Sequence, residues 1–346
     1  MKEPVQFIMR LTLFLLPLVI IFEVTMGGWL SAQDLEQMAL IRNEDVYYDS
    51  GKLYPSDHKI HYKRDRYGLR GPYVDLSNID ILTIGPSTVD QRYISEGETW
   101  QDRLAQRFAT QGKQVAVANG GVDGFSVSYF EPYLEAWFYK LPNFHAKYVL
   151  LYFGAAEAQT HPERKISVSE NSIGERIKQN SAVFFYSVGL LGTLQSKYFA
   201  SEGTHKHIDL STYSWTPVGH VEDYRNFHSE RFQSFNTRVR RLVDTVRGHG
   251  ARAIFVTTAR HTSRFSEGRL LGIETPSGPN GIDDYHLNEV FTEKAMQLCR
   301  ETDSICIDMA HELILGNDDV YDFDHSTPSG AEKIGEFLHT KLQSLF

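Results

Sequence analysis

From residue 79 onward, short and nearly continuous apolar runs alternate with longer segments in which apolar residues recur every three or four positions. The short runs predict strands at Ile79–Ile84, Gln114–Ala118, Lys147–Phe153, Arg252–Thr257 and Ser304–Ile307. The longer segments predict helices at Trp100–Gln111, Ser126–Tyr139, Tyr224–His249, Tyr285–Thr302 and Ser329–Leu345. Apolar strands separated by helices are typical of parallel sheets that are covered on both faces. The pattern predicts an α/β fold, a three-layer α/β/α domain around a mostly parallel five-stranded sheet.

Two regions depart from this alternation. Residues 33–75 are polar and rich in tyrosine, and they predict a linker followed by an apron in front of the domain. Residues 158–223 contain many Gly, Ser, Thr and His residues, and they predict an insertion over the rim of the site, with a short helix around Ser181–Leu194. The predicted organisation is an N-terminal segment over residues 1–32, then the apron, and then a domain over residues 76–346.

The N-terminal segment is strongly apolar, since Arg10 and Glu23 are the only charged residues between Val5 and Leu30. A membrane-spanning helix needs about 20 mostly apolar residues, whereas a signal-peptide core needs about 7–15. Basic residues precede the apolar run and acidic residues follow it, which places the body of the protein outside the cytoplasm. We expect a single-pass anchor in the cell inner membrane, with a cytoplasmic N-terminus and a periplasmic domain. A signal peptide cleaved after Ala32 and a core helix of a soluble protein are the alternatives.

Charge and cysteine content narrow the range of partners and cofactors. The 346 residues carry a formal net charge of −9 and no basic run beyond Arg240 and Arg241, so no nucleic acid is expected as a partner.

Cys299 and Cys306 are the only cysteines. In an oxidising compartment they would bridge a helix end to the next strand, and two unpaired buried thiols are the alternative. No Cys/His cluster has metal-ligand spacing, so neither a metal nor another cofactor is expected.

Three residues with the chemistry of a nucleophilic site fall at the ends of predicted elements. Residues 81–88, ILTIGPST, predict a buried strand that runs into a tight turn and presents Ser87 near a helix N-terminus. Near the C-terminus, Asp322 lies three residues before His325, on a loop that enters the last predicted helix. A serine hydroxyl becomes a good nucleophile when an imidazole takes its proton and a carboxylate orients that imidazole. The sequence therefore predicts acyl-ester chemistry.

A glycine-rich turn is predicted between these two motifs. Residues 117–124, VANGGVDG, follow the second strand and open the next helix. Glycines in such a turn let the backbone approach a ligand with its N–H groups pointing inward. A tight strand-to-helix turn without a ligand explains the segment equally well by itself.

Together these motifs resemble the SGNH (GDSL-like) hydrolase family, in its membrane-anchored or periplasmic bacterial branch. The resemblance extends from about Ile79 to the C-terminus, and residues 85–93 (GPSTVDQRY), 96–100 (EGETW) and 322–330 (DFDHSTPSG) carry it. It implies an extracytoplasmic serine esterase or O-acyltransferase that acts on an O-acylated, above all O-acetylated, cell-surface glycan or lipid-linked sugar.

The resemblance also implies roles for individual residues. Ser87 matches the family nucleophile, and Asp322 and His325 match its carboxylate and base. The amides of Ser87 and Gly121 match the two backbone donors of the oxyanion hole. These residues are the predicted catalytic machinery.

One block departs from the family pattern. After the third predicted strand the family has Gly-x-Asn-Asp, whose asparagine is a further oxyanion donor, whereas residues 154–157 here are GAAE with Ala156 at the asparagine position. Removing one such donor typically lowers turnover about 10²–10³-fold. Asn119 or Gln159 could donate instead, and Glu157 could bind a substrate hydroxyl or form a salt bridge at the sheet rim. Asn119, Glu157 and Gln159 are therefore the candidate substrate-binding residues. The departure leaves a second hypothesis open, a catalytically impaired scaffold that binds a membrane acyltransferase or another polysaccharide-assembly partner.

Overall fold

The computed structural model describes residues 2–27, 29, 40–51, 53–55, 59–153, 173–184, 186–187, 205–218, 229–275, 278–279 and 282–346. In chain order, the strands are β1 (Glu44–Tyr48), β2 (Ile60–Arg64), β3 (Ile79–Ile84), β4 (Val117–Asn119), β5 (Ala146–Phe153), β6 (Trp215–Pro217), β7 (Arg252–Thr257), β8 (Ser263–Ser266), β9 (Arg269–Thr275), β10 (Gly278–Pro279) and β11 (Ile305–Ile307). The α-helices are α1 (Lys2–Met26), α2 (Ser87–Asp90), α3 (Trp100–Thr110), α4 (Val127–Ala136), α5 (Ile173–Asn180), α6 (Ser229–Gly248), α7 (Ile282–Glu301), α8 (Met309–Glu312) and α9 (Pro328–Leu342).

The central sheet has five strands in the order β4-β3-β5-β7-β11, and every neighbouring pair is parallel. Strand β3 is buried along its whole length, as its mostly apolar run predicts, and Asp80 and Thr83 are buried with it. From β3 the chain adds β4 on one side and then crosses to add β5 on the other, so the direction of winding reverses at β3. Such a reversal leaves a crevice outside the carboxyl ends of the strands, where ligands bind in open α/β sheets. The predicted α/β fold with a parallel five-stranded sheet is confirmed.

Helices cover both faces of this sheet because successive strand residues point to opposite sides. On one face, Leu82, Val149 and Phe255 pack with apolar residues of α4, α6 and α7. On the other face, Ile81 and Leu150 pack with apolar residues of α3 and α9. As far as their residues are described, the five predicted helices are these five, with ends shifted by a few residues.

The last helix is fixed by its first turn and by one close contact. The hydroxyl of Thr327 accepts the amide of Gly330 at 3.3 Å, and Pro328 occupies the first helical position. Gly335 lets α9 approach α3, because a Cβ at this position would lie 2.6 Å from the Cβ of Arg103. The docked helix holds the loop that precedes it, and this loop carries Asp322 and His325.

Two antiparallel units have no counterpart among the predicted strands. Strands β6, β8, β9 and β10 form a small sheet of their own. Strands β1 and β2 pair within residues 40–75, which we call the apron. Ile60 and Tyr62 of the apron are buried, so these residues pack into the domain. Residues 33–39, the start of the predicted linker, lie outside the described residues, and the linker stays a prediction.

The N-terminal and inserted segments are described in part. Helix α1 ends at Met26, before the predicted end at Leu30. Within the described residues, no helix combines the length and the apolar character that crossing a membrane requires. The anchor therefore stays a prediction. In the predicted insertion, α5 and β6 are described, and residues 182–184 of the helix expected around Ser181–Leu194 are helical, whereas much of the remainder lies outside the described residues.

Cys299 and Cys306 form a disulfide between the end of α7 and β11. This is one of the two states that the sequence leaves open. The bridge joins a helix to the edge strand of the central sheet.

Candidate active site

Ser87 is the first residue of α2 and follows the carboxyl end of β3 after a two-residue turn. Gly85 makes this turn possible, because a Cβ there would lie 2.3 Å from Cγ2 of Val89. Pro86 precedes α2 in an extended conformation, and Gln91 ends it in the left-handed region with φ of 50°. The sharp turn presents the Ser87 side chain at the crevice outside the strand ends.

The predicted contacts of the triad are present. Nε2 of His325 accepts a hydrogen bond from the Ser87 hydroxyl at 2.8 Å. Nδ1 of His325 lies 2.9 Å from each carboxylate oxygen of Asp322 and donates its proton to that carboxylate. The same carboxylate accepts the backbone amides of Asp324 at 2.9 Å and of His325 at 2.8 Å, which fixes the loop. In this tautomer Nε2 can take the serine proton.

Neighbouring charges set the proton affinity of the imidazole. Burial lowers the pKa of His325, but the hydrogen bond to Asp322 and the negative charges of Asp322 and Asp324 outweigh burial, so this pKa is raised above 6.5. Burial raises the pKa of Asp322, yet the hydrogen bonds and charge of His325 hold it below 3.8. Asp322 is therefore ionised at neutral pH, and His325 is a stronger base than free imidazole.

The two predicted oxyanion donors differ in availability. Among the described residues, the amide of Ser87 has no acceptor. The amide of Gly121 donates to Oδ1 of Asn119 at 2.9 Å, and Nδ2 of Asn119 donates to the carbonyl of Val89 at 2.7 Å. A Cβ on Gly121 would lie only 2.4 Å from the amide nitrogen of Asp90. The structure therefore corrects the roles predicted for Gly121 as an oxyanion donor and for Asn119 as a substrate-binding residue, because both are buried against α2 and support it.

The turn that follows Gly121 reaches the site instead. Asp123 lines the cavity beside Ser87. Gly124 is exposed and has φ of +75°, a conformation that glycine adopts readily. Within the described part of the chain, the amides of Asp123 and Gly124 donate to no acceptor. This turn is a source of a second backbone donor.

The cavity beside Ser87 is narrow, about 20 Å³, which is room for about one water molecule. The described residues that line it are Ser87, Asp90, Arg92, Tyr93, Asp123, His205, Tyr321 and His325. A much larger cleft of about 520 Å³ is lined by apron residues and residues near it, and it shares none of these side chains. We therefore locate the candidate site by the hydrogen bond between Ser87 and His325, and not by the size of a cavity.

Two buried arginines of the apron bind to α2, the helix that begins at Ser87. Nη2 of Arg64 lies 2.7 Å from Oδ1 of Asp90 and 2.5 Å from the carbonyl oxygen of Gly121. Arg70 donates to the carbonyls of Asp90 at 2.8 Å and Gln91 at 3.1 Å. Burial raises the pKa of Asp90, but the charges of Arg64 and Arg70 hold it below 3.8. The apron thereby fixes both the side chain and the backbone at the end of α2.

A further histidine supports the loop that carries the predicted base. Nε2 of His261 donates to the carbonyl of Phe323, between Asp322 and His325. Burial lowers the pKa of His261, which favours the neutral imidazole. His261 thus holds the loop without adding a positive charge.

Of Arg64, His205 and His261, only Arg64 has a signal in the sequence that indicates where its side chain lies. Arg64 falls in phase with Ile60 and Tyr62, every second residue of β2, and this alternation predicts the buried face of a strand. His205 lies in the insertion and His261 follows β7, where no periodic pattern indicates which way a side chain points. Only the folded chain brings these two histidines to the site.

Other predicted positions cannot be placed in the site. Ala156, Glu157 and Gln159 lie outside the described residues. The role expected for Glu157 and Gln159 in substrate binding, and the effect of alanine at position 156, therefore stay predictions.

Comparison with known proteins gives matches among solved structures alone, since neither a family model nor a curated protein matches the chain. One match is a protein from Desulfitobacterium hafniense described as lipolytic and of the G-D-S-L family, at 11% identity and a TM-score of 0.40, covering 77% of this chain and 100% of that one. The esterase EstA from a Pseudoalteromonas species matches at 12% identity and a TM-score of 0.41, covering 78% and 98%. The acetylxylan esterase Axe2 from Geobacillus stearothermophilus matches at 11% identity and a TM-score of 0.41, covering 77% of this chain and 94% of that one.

These solved structures are GDSL lipolytic proteins and esterases, the class that the motifs of this chain resemble. A likeness at this level says nothing about the substrate or the reaction. The function of this chain is inferred below from its own residues and their geometry.

Proposed function

We propose that the chain is a serine esterase or O-acyltransferase of the SGNH type. The observation that supports this proposal is the continuous set of hydrogen bonds from the Ser87 hydroxyl through the His325 imidazole to the Asp322 carboxylate. As Oγ of Ser87 attacks an ester carbonyl, His325 takes its proton and Asp322 stabilises the imidazolium. The amide of Ser87 and the amide of Asp123 or Gly124 donate to the oxygen that becomes negative.

The same residues complete the reaction. His325 returns its proton to the leaving sugar oxygen, which departs as a free hydroxyl and leaves Ser87 acylated. Water or the hydroxyl of a second sugar then gives a proton to His325 and attacks the acyl carbonyl. The products are a carboxylic acid or a new ester, and Ser87 is restored. Hydrolysis and transfer therefore differ only in the acceptor.

The choice of substrate rests on the motifs and not on the cavity, because a space of about 20 Å³ has room for about one water molecule and selects no acyl group. Tyr93 and Tyr321 line that cavity, but both are almost fully buried. By the resemblance of the motifs to the SGNH family, we take the substrate to be an O-acetylated cell-surface glycan or a lipid-linked sugar.

We propose that the domain lies in the periplasm and that the N-terminal segment, residues 1–32, is its single-pass anchor in the inner membrane. The disulfide between Cys299 and Cys306 supports an oxidising compartment, because disulfides persist there and are rare in the cytosol. The charge asymmetry around the N-terminal apolar run supports the orientation.

A fluorophosphonate probe tests the proposal, because it attaches covalently to an activated serine. The wild-type chain should be labelled and should hydrolyse p-nitrophenyl acetate, whereas Ser87→Ala should do neither. Ser211→Ala removes an exposed serine outside the site and serves as the matched control, which should be labelled like the wild type. A folded wild-type chain that is neither labelled nor active would refute the proposal.

A binding scaffold is the second candidate function. Two observations favour it: Asn119 occupies the amide of Gly121, and alanine stands at position 156 where the family has asparagine. Such a scaffold would act as a partner of a membrane polysaccharide-modifying complex, for example of its acyltransferase. A folded chain that stays unlabelled, yet copurifies with a membrane acyltransferase from its own cells, would establish this function.

A further inference from the structure

A second histidine lies against the carboxylate of the triad. Nδ1 of His205 is 3.7 Å from Oδ2 of Asp322, and Nδ1 of His325 is 2.9 Å from both oxygens of the same carboxylate. The two imidazole rings are 4.5 Å apart between centroids. One ligand atom from each of the three residues lies within 4.8 Å of the others. Sequence spacing gives no indication of this cluster, because His205 is more than a hundred residues before the other two.

Two imidazoles and one carboxylate are a donor set that zinc accepts, with a fourth position left for water. Bonds of about 2.0–2.2 Å in a tetrahedral site place ligand atoms about 3.3 Å apart. The observed separations of 2.9 Å and 3.7 Å bracket this value. The three side chains are between 15% and 25% exposed, so an ion can enter from solvent. The Tyr321 hydroxyl, 3.2 Å from Nδ1 of His205, would give up that contact.

We propose that a divalent transition-metal ion, with Zn²⁺ as the best fit, binds across His205, Asp322 and His325 and blocks the base. A neutral imidazole that binds a metal through Nδ1 carries its proton on Nε2. In the metal-free site that proton is on Nδ1 and Nε2 accepts from Ser87. Metal binding therefore moves the proton to the nitrogen that faces Ser87, with no net loss of protons, and the imidazole can no longer take the serine proton.

The inhibition rests on the proposed esterase function, whereas the binding does not. Binding is therefore measured first, on the full-length, untagged Ser87→Ala chain in mild detergent, by competition for Zn²⁺ with a chromogenic zinc indicator. We expect one Zn²⁺ per chain. Adding His205→Ala should weaken binding at least about 10-fold, since loss of even an outer partner of a ligand costs 10–100-fold. His61→Ala is the matched control, because His61 pairs with Asp45 at 2.8 Å and belongs to no metal-ligating cluster in the part of the chain that the structure describes.

Activity provides the second measurement. Zn²⁺ should inhibit p-nitrophenyl acetate hydrolysis by the wild-type chain, EDTA should reverse the inhibition, and His205→Ala should require at least about 10 times more Zn²⁺ for the same fractional inhibition. Absence of stoichiometric binding to the Ser87→Ala chain, or binding that His205→Ala leaves unchanged while circular dichroism shows a folded chain, would overturn the metal site. If the wild type is inert toward esters while Zn²⁺ binds as expected, the esterase proposal fails and the metal site stands.

Discussion

Replacing Arg64 tests whether the apron stabilises α2, the helix that begins at Ser87. Arg64→Met keeps much of the side-chain volume but removes the positive charge next to Asp90, both of which are buried. Removing one partner of a buried ion pair costs about 3–5 kcal/mol. The loss here falls at the lower end of that range, because Arg70, Arg92 and the Tyr62 hydroxyl still stabilise the Asp90 carboxylate. The carbonyl of Gly121 also loses a donor at 2.5 Å. We expect the free energy of unfolding to fall by about 3 kcal/mol.

The measurement is urea unfolding followed by circular dichroism, together with kcat on p-nitrophenyl acetate. Lys63→Met is the matched control, since the neighbouring Lys63 is about half exposed and lies 3.5 Å from Asp45, a pair worth about 0–1 kcal/mol. Adding Asp90→Asn to Arg64→Met removes the buried negative charge that has lost its ion-pair partner and should recover part of the loss. If Arg64→Met costs no more than Lys63→Met, the apron does not support α2 in the way described.

Three further predictions concern the chemistry of the site. Asp322→Asn should lower kcat about 10⁴-fold with the chain still folded, because the imidazole then adopts the wrong tautomer; a loss below 10-fold would exclude Asp322 as its partner. Since the pKa of His325 is raised above 6.5 and its neutral form is the base, kcat/KM measured against pH should rise along an acid limb centred above pH 6.5, and a limb below that value would contradict the charge balance described here. Ala156→Asn should raise kcat, by up to about 10²–10³-fold, if it supplies the missing oxyanion donor; an unchanged kcat in a folded variant would show that another group fills that role.

The parts of the fold that the sequence predicts are those that depend on local pattern. Strands β3 and β7 have the predicted bounds, because burial on both faces makes most of their residues apolar. Ser87, Asp322 and His325 lie in short motifs at strand and helix ends, where parallel topology brings the carboxyl ends of strands together. Their hydrogen bonds follow from that topology.

The remaining features depend on contacts that local pattern does not encode. A backbone amide such as that of Gly121 is available or occupied according to one neighbouring side chain, here Asn119. The role of Arg64 depends on Asp90, which belongs to a different element. His205 approaches Asp322 from an inserted segment without periodicity. Each of these interactions requires the position of a side chain in three dimensions.

The docking of α9 onto α3 has a consequence for biosynthesis. Ser87 is made 238 residues before His325, and α9 is added after both. Under the proposed function, a chain that is still being synthesised therefore carries an ordinary, unreactive serine. Ser87 gains its proposed base only when the C-terminal helix docks and brings the imidazole to the hydroxyl. The order of the chain would thus keep Ser87 unreactive until synthesis of the chain is complete.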